Sequence, residues 1–336
     1  MIYTSDGWID YNYIIKLNNI INILVGGRGI GKTYGLLENL FYLNSNGKIF
    51  YLRRTQEEIE TCCNNELNPF NELNEKYNRN IHFEKEKKLY KIVENENILG
   101  MAGSLSSVGK IRGMSGYDFT NLIFDECIKP LNARRIMKDE GYEFLNLYET
   151  LNRNREIIGK KPLKAFLLSN SNFMGNDLFL TFNLISVATN IKKKNNYPGI
   201  YQKNGLLYVD FGNSSIISDK KKNSVIYKVS NNLEYNNMAL SNDFVFENYT
   251  SHIKKVSLRE YKPVCTIYNF TIYEHKSKNE FFVSHHYSGS PIKYGADYMS
   301  IEKFKKDMGW IYLYYLNDVV YFENYELEIL LTKLFK

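Results

Sequence analysis

Two short stretches of this chain carry residues suited to phosphoryl chemistry. The first is Gly26-Gly27-Arg28-Gly29-Ile30-Gly31-Lys32-Thr33. It satisfies the G-x-x-x-x-G-K-[ST] pattern, in which glycines let successive N–H groups turn inward around phosphate oxygens. The helix that follows adds its positive N-terminal end. Lys32 is expected to reach the β- and γ-phosphates of a nucleotide and the Thr33 hydroxyl to hold Mg²⁺. The second stretch is Asp125-Glu126, closing the apolar run Asn121-Leu122-Ile123-Phe124. Alone, an acidic pair at a strand end is as often a surface turn. Downstream of a phosphate loop it reads as the other half of an NTPase site. Asp125 would hold the water shell of Mg²⁺, and Glu126 would accept a proton from the attacking water.

Phosphoryl transfer also needs a cation on the γ-phosphate, often supplied by a neighbouring subunit. Leu151-Asn152-Arg153-Asn154-Arg155-Glu156 offers two arginines. If its helix continues to residue 155, Arg153 points roughly 170° away from the Phe144/Leu147/Tyr148/Leu151 stripe, by the helical period. Arg155 then falls back on the stripe and supports the fold. Arg28 within the loop, and Lys110 and Arg112 ahead of the acidic strand, stay open as alternatives. Asn170, after Ser169, is placed either near the γ-phosphate or in a plain turn. Arg53 and Arg54 face the same edge or are tied up in salt bridges.

Positioning these groups requires alternating strands and helices. Ile20 to Val25 reads as a buried strand, Lys32 to about Leu43 as a helix, and Lys48 to Leu52 as a second strand. Thr55 and Glu58 stand at capping-box spacing before another helix. Ile81 to Phe83, Leu89 to Val93 and Ile98 to Met101 read as an antiparallel insertion on a parallel core. Asn121 to Phe124 and Leu163 to Leu168 complete that core, and ligands bind at strand ends in such sheets. From about Ser186 the texture turns Asn- and Ser-rich. Beyond Thr250, strands (Val264 to Ile272, Glu280 to His285, Val319 to Phe322) and helical stretches (Ser300 to Met308, Glu326 to Phe335) predict a second α/β domain.

The 336 residues suffice for two domains, and 44% hydrophobic with 24% charged residues is ordinary for a globular protein. The formal charge of +6 permits a polyanionic partner without requiring one. Cys62, Cys63, Cys127 and Cys265 form no C-x-x-C pair, which argues against zinc and for reduced thiols. With no signal-like N-terminus and no membrane-length apolar run, a soluble intracellular protein is expected.

With GGRGIGKT, LIFDE, NRNRE and LLSN in this order, the chain resembles the DNA packaging ATPases (encapsidation proteins, terminase-like) of phi29-like small tailed phages. KIFYLRR and the IRG segment have counterparts in the wider large-terminase group. The resemblance implies a P-loop NTPase domain of the additional-strand, catalytic-Glu type over 1–188. A linker over 189–249 and a ribonuclease-H-like α/β domain over 250–336 would follow. It implies ATP and Mg²⁺ as ligands, with Lys32 and Thr33 on them, Asp125 and Glu126 as the acidic pair, and Arg153 as a finger acting in trans. Such proteins form a ring, usually of five subunits, at the portal vertex of the prohead. There, in the host cytoplasm, they drive double-stranded DNA inward, and some dock on a structural RNA. The strand Val264 to Phe270 carries no Asp or Glu where a nuclease would place its first metal ligand, so the last domain is expected to be vestigial. Lys192 to Lys194 and Lys220 to Lys222, with His252, Lys254 and Lys255, suit a DNA backbone or simply solvated loops. A complete terminase that also cuts DNA, or a P-loop regulatory module with little turnover, are the alternatives.

Overall fold

The computed structural model describes residues 1–45, 47–110, 118–129, 137, 139–170, 174–212, 214–229 and 251–335. Two compact units emerge, one of Met1–Phe182 and Ile191–Val245, the other of Asn183–Asn190 and Phe246–Lys336.

The first unit is built on β1 (Ile21–Val25), β2 (Lys48–Arg53), β3 (His82–Glu86), β4 (Leu89–Glu94), β5 (Asn97–Ser104), β6 (Phe119–Asp125), β7 (Lys164–Ser169), β8 (Gly199–Lys203) and β9 (Leu206–Asp210). Their spatial order is β3-β4-β5-β2-β6-β7-β1-β9-β8. From β5 to β9 every neighbouring pair runs parallel. β3 and β4 add an antiparallel edge, as the charged turns between them predict, and β8 closes the other edge antiparallel to β9. A sheet covered on both faces needs apolar side chains on both faces of each strand. Ile23, Leu24, Val25, Leu122, Ile123, Phe124, Leu167 and Leu168 are accordingly all fully buried.

Several elements depart from expectation. The helix entering from the phosphate loop is regular only over Lys32–Leu37 and then widens into a π-type turn over Glu38–Leu43. The helix after the acidic strand, Glu140–Asn152, stops before residue 155, with Arg153 at its C-cap at positive φ (50°). The segment 199–210, expected within a linker, contributes two strands to the sheet, because an unpaired β1 edge would leave backbone donors and acceptors bare. The capping box forms as its spacing predicts, Thr55 and Glu58 each holding the other's backbone N–H.

The second unit holds β10 (Tyr261–Ile267), β11 (Phe270–His275), β12 (Phe281–Ser284), β13 (Lys293–Tyr294) and β14 (Val320–Phe322), ordered β13-β10-β11-β12-β14. The run read as one strand from Val264 to Ile272 is a hairpin that turns at Tyr268-Asn269, Tyr268 taking φ 53°. Helices Tyr298–Met308, Trp310–Leu316 and Tyr325–Phe335 supply Phe304, Ile311, Leu327 and Leu331 to a core with Cys265, Ile267, Ile272 and Val283.

Candidate active site

β7 lies between the loop strand β1 and the acid strand β6, pairing in parallel with both. That interposed strand is the additional strand of the expected fold class. Its end also registers the two halves of the site. Gly26 N–H donates to Ser169 O at 3.3 Å, and Cys127 N–H donates to Leu168 O at 3.0 Å. The glycine loop and the acidic pair therefore hang from adjacent residues of one strand.

Gly29 and Gly31 take φ 75° and 86°, a region that side chains resist, and this bends the loop back toward its own helix. Lys32 follows at once, and its ammonium is buried. It donates to Gly26 O at 2.8 Å and Gly27 O at 2.7 Å. Burial pulls its pKa down to about 7 against the attraction of Asp125. A cation desolvated onto loop carbonyls is poised for a stronger anionic partner.

Thr33 Oγ1 donates to Asp125 Oδ1 at 2.9 Å, which closes the distance between the two motifs. The other carboxylate oxygen of Asp125 accepts from Tyr51 OH at 2.8 Å and from Arg53 Nη1 at 2.9 Å. Arg53 Nη2 reaches Glu126 Oε2 at 3.1 Å, so one guanidinium bridges both acids. Glu126 is half-exposed and sits in the left-handed region (φ 51°), its N–H donating to Asp125 Oδ1. Arg53 Nε is buried without a hydrogen-bond partner. A hydroxyl beside a carboxylate, next to an orphaned guanidinium donor, fits a hydrated divalent cation and the phosphate oxygens it accompanies.

Arg54 turns the other way. It is fully buried, makes two bonds to Glu140 at 2.7 and 2.9 Å, and ties the end of β2 to the start of helix Glu140–Asn152. Asn170 follows β7 on the loop edge, half-buried. Arg28 is exposed on the loop. Arg112 and the Lys110 side chain lie outside the described residues. Arg155 holds Phe119 O and Asp118, at the start of β6. Asp125 ends that strand, on the order of 20 Å away at 3.3 Å per residue. Exposed Arg153, two residues before Arg155, thus stands toward the sheet edge opposite its own loop.

Sequence reasoning missed Tyr51, whose hydroxyl reaches Asp125 from what reads as an ordinary buried strand, and Tyr11, whose hydroxyl donates to Lys32 O. It also read Lys221 only as part of a basic run, whereas Lys221 Nζ donates to Arg28 O at 2.9 Å. Among the described residues no group of three or more His, Cys, Asp or Glu could hold a metal, and β10 carries no carboxylate.

The family model for the podovirus DNA encapsidation protein (Gp16) matches residues 6–290. The DNA packaging protein of Bacillus phage B103 is 25% identical over 234 residues, covering 69% of this chain. The match spans 66% of that relative's own length, just under two thirds. A solved structure of the Phi-28 gp11 DNA packaging motor aligns with TM-score 0.68 and 20% identity over 98% of this chain and 97% of that one. The bacteriophage Phi-29 viral genome packaging motor assembly aligns with TM-score 0.68 and 18% identity over 98% of each chain. At such identities these likenesses establish a shared fold.

Proposed function

The chain belongs to the podovirus DNA encapsidation protein (Gp16) family, and from that premise we propose that it is an ATP-hydrolysing motor that drives double-stranded DNA into a preformed capsid. The observation that carries the proposal is the 2.9 Å contact between Thr33 and Asp125, which makes one site of the two motifs. The loop N–H groups and Lys32 bind the triphosphate, Lys32 exchanging carbonyls for phosphate oxygens. Thr33 and, through water, Asp125 would hold Mg²⁺, which when bound neutralises charge on the phosphates. Glu126 takes the proton of the attacking water, and for that its carboxylate must come off Arg53. Asn170, which follows β7 on the same side as the loop, is in this reading a contact for the γ-phosphate.

The transition-state cation, in this reading, is Arg153 of a neighbouring subunit. Its place toward the edge opposite its own loop suits donation across a ring interface. A ring of this kind would act at the prohead portal, with five subunits as the family resemblance implies. The first unit is the ATPase. The second, whose leading strand offers no carboxylate, is a nuclease-like domain without a cutting role.

The test is ATP turnover of the purified protein with and without double-stranded DNA and empty proheads. Stimulation by both is expected. Lys32→Ala should lose turnover by at least about a hundredfold, given what a single electrostatic contact to the transition state contributes. Normal turnover in that variant would refute the site, and divalent-dependent cleavage of plasmid would favour a complete terminase.

A further inference from the structure

Three successive carbonyls of the phosphate loop are held by lysine ammonium groups. Lys32 takes Gly26 O and Gly27 O, and Lys221, distant in sequence, takes Arg28 O. Lys221 is the penultimate residue of helix Ile216–Lys222 and belongs to the same unit as the loop. Its approach is so close that a Cβ on Gly29 would collide with Lys221 Nζ.

This placement is built by several tethers. Ser215 caps the helix, its Oγ accepting from Ile217 N at 3.2 Å while its hydroxyl donates to Gly7 O. A Cβ on Gly7 would stand 3.1 Å from Ile216 Cβ, so backbone and helix are in close contact there. The residues after Gly7 rest on the loop itself: Ile9 N–H donates to Ile30 O at 3.4 Å, and Trp8 lies 3.1 Å from where a Cβ on Gly31 would be. Helix and loop thus share one N-terminal hook as their anchor. The result places the cations of Arg28, Lys32 and Lys221 around one short loop. Asp125 and Glu126 attract Lys32, while Arg28 and Lys221 repel it and each other, so a polyanion among the three cations is favoured.

We infer that Lys221 is a phosphate-binding residue of this nucleotide site, exchanging Arg28 O for an oxygen of the terminal phosphate of a bound nucleoside triphosphate. The inference rests on the reading of the loop as an ATP site. Lys32 approaches the phosphates from the helix limb of the loop, and Lys221 stands over the leading limb, at Arg28. The loop N–H groups cradle the inner phosphates, so the ammonium over the leading limb meets the outermost one. Helix Ile216–Lys222 then acts as a lid element that distinguishes a triphosphate from a diphosphate within one subunit.

The experiment is a fluorescence titration, in Mg²⁺, of full-length protein with a labelled, slowly hydrolysed ATP analogue and with labelled ADP. Lys221→Ala should weaken the triphosphate analogue about tenfold, the worth of one charge-assisted hydrogen bond, and ADP by less than about twofold. Lys221→Gln, which keeps a donor for Arg28 O but no charge, should lose the same preference, and Lys221→Arg should recover most of it. Unchanged analogue affinity in Lys221→Ala, or equal losses for both nucleotides, would overturn the inference. If Lys32→Ala abolishes binding while Lys221→Ala leaves it intact, the site reading stands and Lys221 has no part in it. No binding by the native protein would overturn both.

Discussion

Glu126 is held twice, by a left-handed backbone and by the Arg53 guanidinium, and both restraints bear on its proposed role. A non-glycine residue there is strained, which is tolerated where the surroundings fix a functional group. Glu126→Gln keeps the size and an acceptor for Arg53 but cannot take a proton. Hydrolysis should therefore fall by about 10²–10⁴-fold while nucleotide binding persists. Single-turnover hydrolysis beside equilibrium binding reads the two separately, and near-native turnover would remove Glu126 from the base role. The loop and the acidic pair were legible in the sequence because each is contiguous and its spacing is set by local backbone geometry. Tyr51 was not, and Arg53 was legible only as facing the ligand-binding edge or held in a salt bridge, with its acidic partners unnamed. Their partnership with Asp125 exists only because β2 pairs with β6 in the register Leu52↔Phe124, a long-range fact that no local pattern encodes.

The pairing of whole elements depends on a few backbone approaches, and Gly100 is the clearest. The β4–β5 register shifts between Ile92 and Val93, and beside this bulge Gly100 faces Ile49 of β2. A Cβ there would collide with Ile49 O, which is backbone and cannot step aside. Gly100→Ala should therefore cost about 2 kcal/mol, as overpacking does. A thermal or denaturant melt will show it, and an unchanged midpoint would mean that β5 shifts freely. Since β2 carries Arg53 to the acids, the variant should also weaken nucleotide binding. The antiparallel insertion was readable from charged turns between short apolar runs. The β10–β11 hairpin was not, because Tyr268-Asn269 turns without Gly or Pro and the apolar run passes through it. Helix Trp310–Leu316 escaped notice because its consecutive aromatic and aliphatic residues show no polar face.

At the scale of the whole molecule the two units carry separate tests. In the second, burial pulls the His252 pKa down, but hydrogen bonds to Asp318 at 3.0 Å and Glu328 at 2.8 Å raise it overall. Tyr315 OH shares the same Glu328 oxygen. With a folded pKa above the ordinary value of about 6.5, the stabilisation is complete below that pH and fades as pH rises through the folded value. Hydrogen-exchange protection of helix Tyr325–Phe335 should fall over that window in the full chain, and His252→Gln should flatten the dependence. The first unit raises the question of assembly. Arg155, pinned to Phe119 O and Asp118, fixes the turn after helix Glu140–Asn152 at the starting end of β6, whereas Lys32 and Glu126 work at the finishing end. If Arg153 completes a site, that site is another subunit's. Arg153→Ala and Glu126→Gln subunits should each be inactive alone, because one lacks the finger and the other the base. Mixed on proheads, they form interfaces at which an intact Arg153 faces an intact Glu126, and turnover should return to a fraction that depends on the mixing ratio. Mixing with Arg155→Ala instead should not reproduce this, since that variant loses a support of the fold. Absence of any recovery across the ratio series would place the cation within the same subunit, where Arg28 on the loop and Arg53 beside the acidic pair are candidates.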